Sequence, residues 1–312
     1  MVGMNIMQFF KQFPTEEACK VHFKEYRDKV GVTCKKCGCT EHYWLSTISY
    51  YKCKECGTKI SLKSGTVMEY SKLPYLHWYM AFMFATSTKK SFSALEIQRQ
   101  IGHKFYEPIW DMMHKIRLVM GKRDSEYKLN DTVEMDEGFF VSTLNKENTN
   151  KSEEKKRGLG SQRNATVLVM AESQLNADQN NIHKSKRAVK YLKMVHIEDH
   201  KASTINTELS KAVNGKTTSV LTDDGRHYSK LKQVVKKHIP VNVSKVNADV
   251  VLPWVHKTIS NAKRNLLGVH HSIGRDYIQN YLNEFCFKFN RRFNNMDVFD
   301  RLLNVATQYR WY

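Results

Sequence analysis

The sequence predicts an α+β multidomain chain: a small N-terminal ribbon, a helical region, and a C-terminal mixed α/β domain. Three observations predict it. Two C-x-x-C pairs stand fifteen residues apart in the first sixty. Residues 71 to 125 repeat their apolar positions with helical spacing around a Gly-containing turn. From residue 132 the pattern runs through three strands, a helix, a fourth strand and then helices. The boundaries read as 1–70, 71–127 and 128–312.

With 312 residues the chain can form two or three domains and at least one substantial core. No apolar run reaches the roughly eighteen residues that a membrane helix needs, so no membrane span is expected. The opening M-V-G-M-N-I-M-Q-F-F-K has no basic region ahead of an apolar stretch and no small-residue cleavage site. It does not read as a secretory signal, and the expected location is cytoplasmic, with the nucleoid. The formal charge is +19, spread over the whole chain. An excess of that size points to a polyanionic partner, nucleic acid first and an anionic membrane surface second.

The first thirty residues form a helical lead-in through Phe9, Phe10 and Phe13, then Cys19, Val21, Phe23 and Tyr26, with Thr15 as a candidate cap. C-K-K-C-G-C-T starts at Cys34 and C-K-E-C-G-T at Cys53. Each is a knuckle followed by glycine, Gly38 and Gly57, and the spacer between them reads as two β segments. That arrangement brings the thiolates of Cys34, Cys37, Cys53 and Cys56 into a tetrahedron, as a structural zinc ion requires. Cys39 is a possible substitute for Cys37, but C-x-x-C geometry favours Cys37. Seven cysteines without an export signal fit metal binding better than a disulfide framework.

Leu73-Pro74 precedes an apolar, aromatic helix. Ser93-Ala94-Leu95-Glu96 reads as a capping box that opens a short helix ending near Ile101-Gly102. A helix from Phe105 to Met120 follows, with Ile109, Met112, Met113, Ile116 and Val119 on one face. Helix, turn and helix resemble a helix-turn-helix, although packing alone explains such a pair nearly as well.

Thr132 to Val141, T-V-E-M-D-E-G-F-F-V, alternates as a strand yet holds Glu134, Asp136 and Glu137. Strands disfavour such acids, and inside a sheet a bare carboxylate needs a partner, a proton or a metal. Taken alone, they read as strand-end acids facing water. The basic, polar stretch Asn145 to Arg163 reads as a surface loop. Thr166–Glu172 and Ala188–Ile197 are further strands, Ser203–Val213 a helix, and Thr217–Leu221 a fourth strand ending in L-T-D-D-G-R-H-Y. By itself D-D-G is a turn; at the end of an apolar strand it is also where α/β sheets hold ligands.

The last third is helical. Pro253 suits a first helical position, and Val255, Ile259, Ala262 and Leu266 form an apolar stripe. His256, Ser260 and Lys263 align on an adjacent face, and Gly268 suits a C-cap. A second helix runs from Arg275 to Phe289.

Three antiparallel strands, a helix, a fourth strand and then helices is the order of an RNase H-like domain. In it the centre of the first strand and the end of the fourth lie side by side, so Asp136 and Asp223 converge. A third ligand from a later helix completes a site for two divalent ions that drive phosphodiester displacement.

The ribbon cysteines, V-E-M-D-E-G-F-F, K-K-R-G, L-T-D-D-G-R-H-Y, L-P-W-V-H-K-T-I-S-N-A-K-R-N-L-L-G and Y-L-N-E-F-C-F-K-F-N-R-R together resemble the DDE-class transposases of bacterial insertion sequences. The resemblance is to the branch with an N-terminal zinc ribbon and an ISXO-type catalytic domain, related to Merlin transposases. It covers nearly the whole chain. It implies binding of terminal inverted repeats in double-stranded DNA, metal-dependent cleavage at the element ends, and attack of the freed 3′-hydroxyl on target DNA. It also implies a homodimer or larger assembly on DNA. By position, Asp136 matches the first acidic ligand and Asp223 the second, better than Asp224 does. His256 stands where many relatives have Glu, seven residues before Lys263. The implied catalytic set is Asp136, Asp223, His256 and Lys263, with Mg²⁺ or Mn²⁺ as the two ions. Two other classes fit the same pieces: a DNA-binding regulator that has lost catalysis, and a nuclease of the same fold without strand joining. Glu134 shares a face with Asp136 and lines the site, while Glu137 points to the opposite face.

Overall fold

The computed structural model describes residues 4–143, 164–175, 186–242, 251–293 and 298–312. The loop expected over Asn145–Arg163, with its K-K-R-G stretch, lies outside these residues. The chain divides into two compact units, Met1–Arg123 with Arg291–Tyr312, and Asp124–Asn290. No helix among the described residues is long and apolar enough to cross a membrane.

The first unit opens with α1 (Ile6–Gln12) and α2 (Glu16–Val30). Thr15 caps α2, its Oγ1 accepting the Ala18 N–H at 3.2 Å. A three-stranded antiparallel ribbon follows, β1 (His42–Leu45), β2 (Tyr50–Cys53) and β3 (Lys59–Ser61). The two knuckles repeat one another in their hydrogen bonds. Gly38 N–H donates to the Cys34 carbonyl and Gly57 N–H to that of Cys53, and both glycines hold positive φ, 78° and 69°. Cys34 and Cys53 N–H donate in turn to the carbonyls of Cys39 and Thr58.

Three helices come next: α3 (Tyr75–Ser87), α4 (Ala94–Ile101) and α5 (Glu107–Ser125). Ser93 Oγ accepts the Glu96 N–H at 3.1 Å to start α4, and Gly102 at φ 74° ends it in the left-handed conformation. The apolar face expected for α5 is buried at Ile109, Met112, Met113, Ile116 and Val119.

The chain's last helix departs from the 128–312 span read from the sequence, because the second unit ends at Asn290. Aromatic packing explains this. Phe299 packs against Phe9, Phe13 and Tyr79 at centroid distances of 6.2, 5.8 and 6.0 Å, and buried Arg27 donates to the Thr307 carbonyl at 3.2 Å.

The second unit is a five-strand path in the order β6-β5-β4-β7-β8, with a short β9 joined to β4. Its strands are β4 (Thr132–Thr143), β5 (Asn164–Leu175), β6 (Arg187–Ile197), β7 (Ser219–Asp223), β8 (Lys237–Val241) and β9 (Ile273–Gly274). β4, β5 and β6 form the expected antiparallel meander, while β7 and β8 add in parallel. This is the RNase H-like arrangement. Sequence reading missed β8, K-H-I-P-V, because a five-residue strand containing Pro240 has little strand signal. Only an edge position tolerates that proline.

Helix α6 (Ala202–Ala212) covers one sheet face, packing Ile205, Leu209 and Ala212 on Val133, Met135 and Val220. Helices α7 (Pro253–His270) and α8 (Ile278–Asn290) cover the other. The α7 stripe of Val255, Ile259, Ala262 and Leu266 is buried as its spacing predicts. Gly268, expected as the cap, lies inside α7. The helix runs on to His270, whose ring packs edge-on against Tyr281 at 4.5 Å, and His271 takes the reversal at φ 52°.

Candidate active site

The ribbon cysteines come together first. The sulfurs of Cys34, Cys37, Cys53 and Cys56 all lie within 4.8 Å of one another. Cys39 is excluded from the cluster and contacts the backbone of Glu41 instead. Four sulfurs at that spacing fill the four positions of a structural zinc ion.

A second constellation is built around β4. Because β4 and β7 run parallel with Glu134 opposite Leu221, two residues further along each strand stand Asp136 and Asp223. Strand alternation turns both side chains to the same face. On that face α7 crosses the sheet, and His256 Nε2 lies 3.8 Å from Asp136 Oδ2. Asp136 also accepts the N–H of Glu137 at 2.8 Å. Its carboxyl is pushed up to about 6, chiefly by burial. The Glu137 N–H and His256 lower it, and the neighbouring charges of Glu137 and Asp223 raise it. Asp223 Oδ1 accepts the Gly225 N–H at 3.1 Å, an Asx-type turn that holds the carboxylate at the strand's end. Lys263, exposed on α7 two turns beyond His256, sets its Nζ 5.8 Å from the centroid of Phe140, which is on the same strand face as Asp136.

Gly138 explains how the helix comes so close. A Cβ there would stand 2.9 Å from Phe140 Cε2 and 3.3 Å from Ile259 Cγ2. Glycine lets Ile259 of α7 rest on the β4 backbone.

The flanking acids separate by face, as alternation requires. Glu134 is buried, and its Oε2 accepts the backbone N–H groups of Trp254 and Val255 at 2.7 and 3.0 Å. Burial raises its carboxyl, while those two N–H groups pull it down. Glu137 faces the other side of the sheet, where its Oε1 stands 3.4 Å from His227 Nε2. The His227 ring contacts that of Tyr228 at 4.1 Å, and burial followed by Glu137 drives the Tyr228 phenol upward.

Sequence reasoning named Asp136, Asp223 and His256; the fold sets His256 3.8 Å from Asp136 and puts Asp223 at the end of the neighbouring strand. It missed the use made of Glu134 and the Glu137–His227 pair. One local signal for the former was present: Leu252-Pro253 opens α7 with no capping side chain of its own. Nothing local marks His227.

Two family models match the chain. One, described as the ISXO2-like transposase domain, covers residues 128–290, and the other, described as the transposase zinc-ribbon domain, covers residues 14–59. No curated protein matches. Among solved structures, the Mos1 transposase paired-end complex with left transposon end is similar at 12% identity and a TM-score of 0.28, over 69% of this chain and 70% of that one. The Mos1 strand transfer complex is similar at 10% identity and a TM-score of 0.28, over 71% and 75%. The first family match spans more than half of the chain and the second falls on the cysteine ribbon, so the chain belongs to the ISXO2-like transposases, with an N-terminal transposase zinc ribbon.

Proposed function

We propose that the protein binds the terminal inverted repeats of its own insertion sequence, cleaves DNA at those ends and joins the freed 3′ ends to target DNA. In this reading Asp136, Asp223 and His256 hold two divalent cations, Mg²⁺ or Mn²⁺. Lys263 holds a DNA phosphate beside the cut bond. One observation carries the reading. A half-buried carboxylate on a central strand, its carboxyl pushed up to about 6, meets a second acid on the neighbouring strand and an imidazole 3.8 Å away. Unneutralised charge of that kind suits a cation, and the donor set of two carboxylates and one imidazole suits a divalent metal.

When bound, the cations supply Lewis-acid activation of the attacking oxygen and stabilise the leaving one. The chain's residues do the rest. Asp136 and Asp223 hold the carboxylate oxygens side by side, His256 brings an imidazole from the helix above, and Lys263 orients the substrate through its backbone charge. Water and then the 3′-hydroxyl act as nucleophiles, so no covalent enzyme–DNA intermediate forms. Two copies of the chain on paired element ends make the natural assembly.

Cleavage and strand transfer on the element's own termini test the proposal. Asp136→Ala, Asp223→Ala and His256→Ala should each abolish both steps while DNA binding persists. Lys263→Glu should lose cleavage with the metal ligands intact. Full activity in any of the three alanine variants would remove that residue from the site. An inactive DNA-binding regulator would give no cleavage in the unmutated chain, and a nuclease would cut without joining.

A further inference from the structure

The hydrogen bonds of Glu134 extend the site beyond its three donors. We propose that Glu134 is a positioning residue, which fastens the first turn of α7 to β4 and thereby sets the separation of His256 from Asp136. This rests on the reading that Asp136 and His256 hold a divalent cation.

Helix α7 begins badly on its own. Leu252 occupies the cap position without a side-chain hydrogen bond, and Pro253 at the first helical position has no N–H to offer. The next two N–H groups, of Trp254 and Val255, have no acceptor within the helix and point into the protein. Glu134 Oε2 takes both. At 4% exposure its carboxylate has no water to compete for it, so the bonds to the helix's positive end are charge-assisted and shielded.

Position in the chain turns this cap into a gauge. Glu134 is two residues before Asp136 on the same face of β4, and Val255 immediately precedes His256. A rigid circuit therefore closes from the Glu134 carboxylate along the strand to Asp136, across to His256, and back along the helix to Val255. The second point of attachment is Ile259 against Gly138. Asp136 lies between the two strand contacts and His256 between the two helix contacts. Releasing the Glu134 end lets the first turn of α7 lift or fray, and His256 is in that turn.

The same device occurs in the first unit. Helix α3 also begins at Leu73-Pro74 without a capping side chain, and there Glu16 from α2 accepts the N–H groups of Tyr75 and Leu76 at 2.8 and 2.7 Å. A distant glutamate completing a Leu-Pro helix start is thus a structural solution this chain uses twice. Only at Glu134 does the helix so fixed carry a site residue in its first turn.

Mn²⁺ titration of the full-length, zinc-loaded protein, read by electron paramagnetic resonance, tests the proposal alongside end cleavage. Glu134→Ala should weaken Mn²⁺ binding by about tenfold or more and lower kcat for cleavage, with KM for DNA unchanged. Glu134→Gln, which keeps an acceptor oxygen at the same reach, should stay within about threefold of the unmutated protein. Glu134→Asp keeps the charge but is one methylene short, and should behave like Glu134→Ala. In a His256→Ala background, Glu134→Ala should add no further loss.

Several results would overturn it. Additive losses in the double variant, or Glu134→Gln as damaging as Glu134→Ala, would make Glu134 a metal ligand in its own right. Unmutated Mn²⁺ affinity in Glu134→Ala, with His256→Ala impaired, would reduce the carboxylate to a fold-stabilising cap. Unmutated affinity in His256→Ala would instead sink the metal-site reading itself, and the positioning role with it. If Glu134→Ala does not fold, the Gln and Asp pair decides alone, since acceptor reach and charge then point in opposite directions.

Discussion

Asp136 carries a cost that folding alone does not explain. Burial holds its carboxyl at about 6 instead of the ordinary 3.8, so in protein free of Mg²⁺ and Mn²⁺ its ionisation costs more in the folded chain than in the unfolded one. The sign follows from linkage. The folded state binds the proton more tightly than the unfolded state, so stability falls as pH rises from about 4 through 6 and stays low above it. Asp136→Asn should therefore stabilise the protein in buffer without these ions at pH 7, by up to about 3 kcal/mol, and by much less at pH 4. Denaturant melts of both proteins at the two pH values check this; an equal gain at each would mean that ionisation is not the source. His256 leads to a second expectation at this scale. Imidazole suits borderline metals, while Mg²⁺ prefers oxygen. Mn²⁺ should then support cleavage at least as well as Mg²⁺, and a protein active in Mg²⁺ but dead in Mn²⁺ would argue against His256 as a ligand.

At the scale of elements, the site depends on how closely α7 approaches β4. Strand β4 contributes three acids with separate tasks, because alternation sends Glu137 to the His227 side and leaves Glu134 and Asp136 on the α7 side. Gly138 supplies the space. Gly138→Ala would put a methyl 3.3 and 3.4 Å from the Ile259 side chain and 2.9 Å from Phe140 Cε2. The Phe140 ring can swing, but Ile259 is buried on the helix and must take the helix with it. We expect a loss of about 1–3 kcal/mol in stability, as for other overpacked cores. Cleavage should fall more than the lost stability accounts for, since His256 moves with the same helix. Thermal melts and single-turnover cleavage, measured together, separate the two effects.

For the whole molecule, the dominant property is charge. A chain with a formal charge of +19 that belongs to a DNA transposase family should bind its terminal repeats with strong salt dependence. Each phosphate neutralised contributes a slope of about −0.9 in log affinity against log salt. Fluorescence anisotropy with duplex DNA between about 50 and 200 mM salt should show affinity falling by orders of magnitude if several phosphates are engaged. A flat dependence would mean that the basic surface does not track the DNA backbone.

Much of the architecture follows from local pattern. The cysteine spacing determined the ribbon, and the alternation of Val133, Met135 and their neighbours determined β4. The Val255–Leu266 stripe determined which side of α7 is buried, and the order of these elements determined an RNase H-like sheet. Those signals are short-range and repeat with the period of the structure they form, so they survive in a single sequence. Contacts made over long separations do not. Glu134 and the N–H of Trp254 lie 120 residues apart, and no periodicity links them. Arg27 and the Thr307 carbonyl are 280 apart, which is why the last helix reads as part of the wrong unit until its packing is seen. The sequence determined by itself that an acid-bearing strand and a His-Lys helix exist. Tertiary structure alone decided that Asp136 faces His256, that Glu137 turns away to His227, and that Glu134 secures the helix. Burial is what assigns each carboxylate its partner, and burial belongs to the folded chain.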